Sequence, residues 1–140
     1  MSSWNRTFME IAEIVSKRST CGKRQTAALI VRDERIISMG YNGAPAGMPH
    51  CVDLAVPAET HYEWSRSHEV HAEINAIAYS ARVGLSCQDA EMYTLLAPCS
   101  SCAFAIVAAG IKKINYKLSY RDTNGLRILE KCGVEVVMLP

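Results

Sequence analysis

Hydrophobic and polar positions divide the chain into stretches of two different periods. Trp4, Phe8, Ile11, Ala12, Ile14 and Val15 recur at helical spacing and predict an amphipathic helix over about residues 4–17. Ser19-Thr20-Cys21-Gly22 breaks that pattern. Two strands follow, Thr26 to Val31 and Ile36 to Gly40, and the polar Arg32-Asp33-Glu34-Arg35 between them makes a hairpin. A long irregular stretch rich in Gly and Pro then runs from Asn42 to about Pro57, a length that in a compact domain points to function. Residues 58–70 read as a helix or a turn-rich connection. Ala72, Ile74, Ala76, Ile77, Ala78 and Ala81 predict a strong helix stopped by Gly84, apolar on several sides and so buried against a sheet. Strands are predicted over 91–96, 111–116 and 134–138, and helices over 102–109 and 123–131. The order α-β-β-α-β-α-β-α-β predicts an α/β fold: a three-layer α/β/α sandwich on a five-stranded mixed sheet, with right-handed crossovers and helices on both faces. One domain spans residues 1–140.

Composition narrows the class. Hydrophobic residues make up 49% and charged residues 21% of 140 residues, as in an ordinary soluble domain with a real core. A net charge of +1 provides no broad field to attract a polynucleotide, so no nucleic-acid partner is expected. No window is apolar enough for a membrane span, and the N-terminus lacks the basic start and apolar run of a signal peptide. Six cysteines without a secretion signal read as metal ligands and buried thiols more readily than as disulfides. A cytoplasmic location is expected, that of the host if the chain is viral.

Two short segments carry the chemistry: His71-Ala72-Glu73 and Pro98-Cys99-Ser100-Ser101-Cys102. Each is expected at the start of a helix, with a strand between them. Cys99 and Cys102, three apart, can present two thiolates on one side, and His71 adds an imidazole. Three protein ligands leave a fourth position for water, the pattern of a catalytic zinc. A closed structural site would need another ligand, and neither helix supplies one at motif spacing. Zinc lowers the pKa of water to about 7 in favourable cases, and helix N-termini stabilise thiolate and hydroxide alike. Glu73 is the expected proton carrier, accepting from water and delivering to the leaving group. Either motif alone is weak; together they form the H-x-E…P-C-x-x-C signature of the zinc-dependent nucleobase deaminases.

Over nearly its whole length the chain resembles the deoxycytidylate (dCMP) deaminase family. The likeness rests on Arg18-Ser-Thr-Cys21, Ile36-Ile-Ser-Met-Gly-Tyr-Asn-Gly-Ala-Pro-Ala-Gly47, His71-Ala-Glu-Ile-Asn-Ala-Ile77, and Pro98-Cys-Ser-Ser-Cys102 with Ala109-Gly-Ile-Lys-Lys. The resemblance implies a cytidine deaminase-like fold and hydrolysis of dCMP to dUMP and ammonia for thymidylate synthesis. It also implies a homohexamer, activated by dCTP and inhibited by dTTP with Mg2+. By matching position, Ser65, Ala72 and Tyr120 are expected to contact substrate. Asn42 is expected to meet the sugar 3′-hydroxyl or to serve the effector site, where Gly43 also falls. Arg82 either lies near a subunit boundary and the regulatory site or is a solvated charge. The cations available for a phosphate are Lys23, Arg24, Arg66 and Arg121.

A surplus of soft ligands remains: Cys21, His50, Cys51, His61 and His68. The resemblance implies a second Zn2+ at Cys21, His50 and His61, with His50 in place of a more usual cysteine and no fourth ligand named. The alternative is that they are buried thiols and hydrogen-bonded imidazoles. Other zinc deaminase substrates (cytidine, a free base, tRNA) and a non-catalytic zinc-stabilised module are the competing readings.

Overall fold

The computed structural model describes residues 3–140. Its elements run α1 (Ser3–Ser16), β1 (Ala27–Arg32), β2 (Arg35–Tyr41), α2 (Ala58–His68), α3 (Ala72–Val83), β3 (Glu91–Leu96), α4 (Ser100–Ala108), β4 (Lys113–Leu118), α5 (Asn124–Lys131) and β5 (Glu135–Met138). The five strands form one mixed sheet in the order β2-β1-β3-β4-β5. β1 is antiparallel to both β2 and β3, while β3, β4 and β5 are mutually parallel. The hairpin turn places Asp33 and Glu34 at φ 52° and 59°, the left-handed region that tight hairpin turns require.

Alternation along the strands builds two cores. Ala28, Ile30, Met92 and Ile114 face α3, α4 and α5 and pack with Ala72, Ala76, Ala103, Ile106 and Leu129. Leu29, Val31 and Tyr93 face the other way, against Phe8, Met9 and Ala12 of α1. Each fully buried large aliphatic side chain stabilises the fold by about 1.5–3 kcal/mol. The three-layer prediction therefore holds, with an uneven division: α1 alone forms one outer layer. Alanines at 72, 76 and 103 let α3 and α4 lie close to the sheet, which sets the depth of the residues at their N-termini.

Of the two readings of 58–70, the helix is the one formed: α2 covers Ala58–His68 with no buried residue, which is why hydrophobic periodicity left it unresolved. One strand start differs from the sequence expectation. Strand β4 begins at Lys113 and not at Ile111. Gly110 closes the turn after α4, Ile111 drops into the core, and ladder pairing with β3 starts at the Glu91–Lys113 pair.

Candidate active site and metal groups

Two helix starts meet at the sheet's edge to make the site. His71 is the N-cap of α3 and Cys99 the N-cap of α4. Their carbonyls accept the first helical bonds, from Asn75 N and Ala103 N, both at 2.9 Å. Cys102 lies in the first turn of α4 and is fully buried. His71 Nδ1 is 3.3 Å from Cys102 Sγ and 3.5 Å from Cys99 Sγ. Nitrogen and sulfur at zinc bond lengths on neighbouring tetrahedral corners would be about 3.5 Å apart. The spacing fits a shared zinc ion, and these three side chains form one of two groups, among the described residues, whose ligand atoms all lie within 4.8 Å of one another.

The electrostatics agree with a cation site. The two thiols divide one negative charge between them. The hydrogen bond from Cys102, helped by His71, brings Cys99 down to about 4. The same Cys99 bond, with burial, drives Cys102 upward. His71 is raised, first by its hydrogen bond to Cys99. A dication in their midst would favour both thiolates and a neutral imidazole. Glu73, in the first turn of α3, is 7% exposed, and burial lifts its carboxyl above the usual range. A carboxyl buried beside the ligand group is placed to take up a proton and pass it on.

Two close approaches, neither legible in the motifs, hold the helix starts in place. A Cβ on Gly40 of β2 would lie 2.6 Å from Ala76 N and 2.7 Å from Ala72 O, so this strand presses on the first turn of α3. A Cβ on Gly125 of α5 would lie 2.2 Å from Pro98 O and 2.9 Å from Cys99 C, so α5 presses on the Pro98–Cys99 peptide. Asn124 Nδ2 also donates to Ser100 Oγ at 3.0 Å. Bare backbone at these positions gives both ligand-bearing turns a fixed support.

The second group is Cys21, Cys51, His61 and Glu69. Cys21 Sγ is 3.3 Å from His61 Nε2, which is 3.6 Å from Glu69 Oε1. The other Glu69 oxygen is buried without a hydrogen-bond partner, a state that calls for a cation. The group differs from the expected set: Cys51, not His50, lies with Cys21 and His61, and Glu69 makes a fourth candidate ligand. The turn that begins at His50 explains the first change. Asp53 N and Leu54 N donate to His50 O, and Val56 N donates to Cys51 O, which turns the buried Cys51 thiol inward to accept from Gly22 N at 3.3 Å. His50 Nδ1 is buried but lies outside the group. His68 stacks on Trp64 with centroids 4.5 Å apart and its Nδ1 is 2.7 Å from Trp64 O, so it too is outside.

Glu69 and His71 belong to different groups but are joined by a short extended segment, about 7 Å between Cα atoms at most. Val70 between them forms a two-bond bridge with Gly43: Gly43 N to Val70 O at 3.2 Å and Val70 N to Gly43 O at 2.9 Å. Asn42, expected at substrate or effector, has a backbone partner on each polar atom. Its Oδ1 accepts from Thr26 N at 3.0 Å and its Nδ2 donates to Arg24 O at 2.8 Å, so both polar atoms brace the 24–26 backbone. Ser65 Oγ donates to Tyr62 O within α2. Ala72 is fully buried, so any ligand contact from it falls to its backbone N–H, which has no acceptor within α3. Tyr120 is within electrostatic reach of Cys99 and Tyr62; burial raises its phenol first, and Arg121 partly offsets this. Arg82 is exposed in the last turn of α3, where a cation suits the helix dipole. An open cleft of about 190 Å³ between Pro45, Met48, Arg66, Ser67, His68, Glu69 and Val70 leads past the residue before His71.

Comparison with known proteins agrees with this geometry. The family model for the cytidine and deoxycytidylate deaminase zinc-binding region matches residues 2–118. The deoxycytidylate deaminase of Enterobacteria phage T4 is 36% identical over 171 aligned residues, covering 96% of this chain and 89% of that one. The human deoxycytidylate deaminase is 35% identical, covering 86% and 68%. Among solved structures, the dCMP deaminase of cyanophage S-TIM5 in complex with dCMP and dUMP superposes with a TM-score of 0.88 at 30% identity, covering 99% of each chain. The chain belongs to the cytidine and deoxycytidylate deaminase family.

Proposed function

We propose that this protein is a zinc-dependent dCMP deaminase, converting dCMP and water to dUMP and ammonia. The observation that carries the reading is the His71–Cys99–Cys102 group with buried Glu73 beside it, in a chain alike end to end to dCMP deaminases. Zinc held by those three side chains would supply Lewis acidity and an open fourth position for the attacking water. Glu73 accepts the water's proton as oxygen adds to the amine-bearing ring carbon, and passes it to the adjacent ring nitrogen. It then carries the proton of the newly added hydroxyl to the amino group, which leaves as ammonia while the carbonyl forms. The N-termini of α3 and α4 favour the negative charge that develops there.

A second zinc at Cys21, Cys51, His61 and Glu69 is part of the same proposal. Its support is the closed four-ligand set and the orphaned Glu69 oxygen. Such a site would fix the loops that flank the catalytic group and would do no chemistry itself.

The proposal includes dUMP supply for thymidylate synthesis, activation by dCTP and inhibition by dTTP with Mg2+. Support for control is the Gly43–Val70 bridge, through which a ligand on that loop would bear on His71. A homohexamer is in keeping with exposed Met39 and Tyr41 on the edge strand and Tyr79 and Val83 on α3, apolar surface suited to burial between subunits. Among the described residues no helix is long and apolar enough to cross a membrane. The test is ammonia release from dCMP, CMP, deoxycytidine and tRNA, with and without dCTP and dTTP. Turnover of dCMP above the others is expected. Activity on deoxycytidine or tRNA with none on dCMP would reject the proposal.

A further inference from the structure

Asparagine is an uneasy choice inside a helix. Its amide competes with the backbone for hydrogen bonds and favours caps and turns, so a half-buried asparagine there calls for a partner elsewhere. Asn75, two residues after Glu73 in α3, has such a partner. Its Nδ2 donates at 2.6 Å to Tyr41 O, the carbonyl of the last residue of β2. The stem of the side chain runs over bare backbone: a Cβ on Gly40 would lie 2.8 Å from Asn75 Cβ.

That bond closes a ring. From Tyr41 the chain passes through Asn42 to Gly43, which exchanges two backbone bonds with Val70. Val70 leads directly into His71, the N-cap of α3, and His71 O accepts from Asn75 N at 2.9 Å. Asn75 therefore holds two joints. Its backbone N–H fastens His71, and its amide returns the turn to the strand where the ring began. Glu73 lies on the turn between, so a metal ligand and the proton carrier share one closed circuit. Every link but one in that circuit is backbone, and the exception is the Asn75 amide. A second tie between β2 and α3 lies outside it: Ser38 Oγ donates to Ala76 O at 2.6 Å. Losing the Ser38 hydroxyl loosens the same two elements but leaves the ring closed.

We infer that Asn75 is a positioning residue for the reaction: it closes the ring that sets His71 and Glu73 against the loop after β2. This rests on the proposed zinc-dependent dCMP deaminase activity. The test compares Asn75→Asp, Asn75→Leu, Asn75→Gln and Ser38→Ala with the wild type. Asn75→Asp keeps the size and loses the donor, and an acid near a helix N-terminus favours the fold. One lost neutral hydrogen bond should weaken zinc about threefold to tenfold in chelator competition and speed amide exchange at Gly43 and Val70 by a similar factor. The kcat of the zinc-loaded enzyme on dCMP should fall about tenfold to a hundredfold, with a smaller change in KM. Asn75→Leu, uncharged and of similar size, should show the same losses, and Asn75→Gln, which keeps an amide donor, should recover part of them. Ser38→Ala should lower unfolding stability while zinc affinity and exchange at Gly43 and Val70 stay near wild type. Wild-type zinc affinity and kcat in Asn75→Asp, or equal losses in Ser38→Ala, would overturn the positioning role and leave the dCMP reading intact. A wild type inactive on dCMP, with zinc still weakened in Asn75→Asp, would overturn that reading and leave the ring standing.

Discussion

Gly40 offers a direct test of how the fold sets the site. A methyl group there would sit 2.6 Å from Ala76 N and 2.7 Å from Ala72 O, about 0.8 Å short of ordinary contact, which begins at 3.4 Å. Both obstacles are backbone of α3, so no side-chain rotamer can relieve them. Either β2 leaves the sheet or α3 slides, and α3 carries His71 at its N-cap and Glu73 in its first turn. Overpacking of this kind costs about 1–3 kcal/mol, and the rigid obstacles place Gly40→Ala at the upper end. A displacement of this order at a catalytic group costs on the order of a hundredfold in rate. Gly40→Ala is therefore expected to lose about 2–3 kcal/mol in urea denaturation. It should also bind zinc more weakly in chelator competition and turn over about 10–100-fold more slowly. A variant within about 0.5 kcal/mol of wild type, with full zinc affinity and turnover, would refute the claim that bare backbone at this contact positions the site.

Other expectations follow from single observations. Zinc per chain should fall from two to one in Cys51→Ser and in Glu69→Gln but stay at two in His50→Asn; the reverse would restore the His50 assignment. Asn42→Ala strips partners from two backbone groups and should cost about 1–3 kcal/mol in thermal or urea unfolding, more than its exposed neighbours would. Burial pushes the Tyr93 phenol up to about 12 from 10.0, and its hydroxyl donates to Asn5 Oδ1 at 2.7 Å. Because the folded value is the higher one, this contribution is intact below pH 10 and is lost as pH rises from 10 toward 12. Tyr93→Phe should accordingly flatten the alkaline fall in stability across that window, and an unchanged slope would rule this out.

What the sequence revealed depended on how each feature is written in it. Helical spacing in α1 and alanine-rich runs in α3 and α4 are local patterns, so element order, the hairpin and the sandwich could be read directly. His71, Glu73, Cys99 and Cys102 are equally local, since each pair lies within one turn of one helix. The second group is the opposite case. Cys21, Cys51 and the α2 pair His61 and Glu69 come from three separate stretches, and only the His50–Val56 turn decides which of two adjacent ligand types faces Cys21. Asn42 shows the same limit, since its backbone donor and acceptor sit 16 and 18 residues away. Gly40 and Gly125 look like ordinary glycines until the opposing helix and loop are in place. The contact of Arg121 with the Tyr62 ring likewise joins the segment after β4 to α2 across many residues.

The central claim is that three side chains hold the zinc and Glu73 moves the protons. Measuring zinc content and ammonia release from dCMP in Glu73→Gln tests both parts in one protein. The account predicts wild-type zinc with turnover lowered at least about 10²–10⁴-fold. Substantial turnover in that variant, or loss of zinc along with activity, would contradict it.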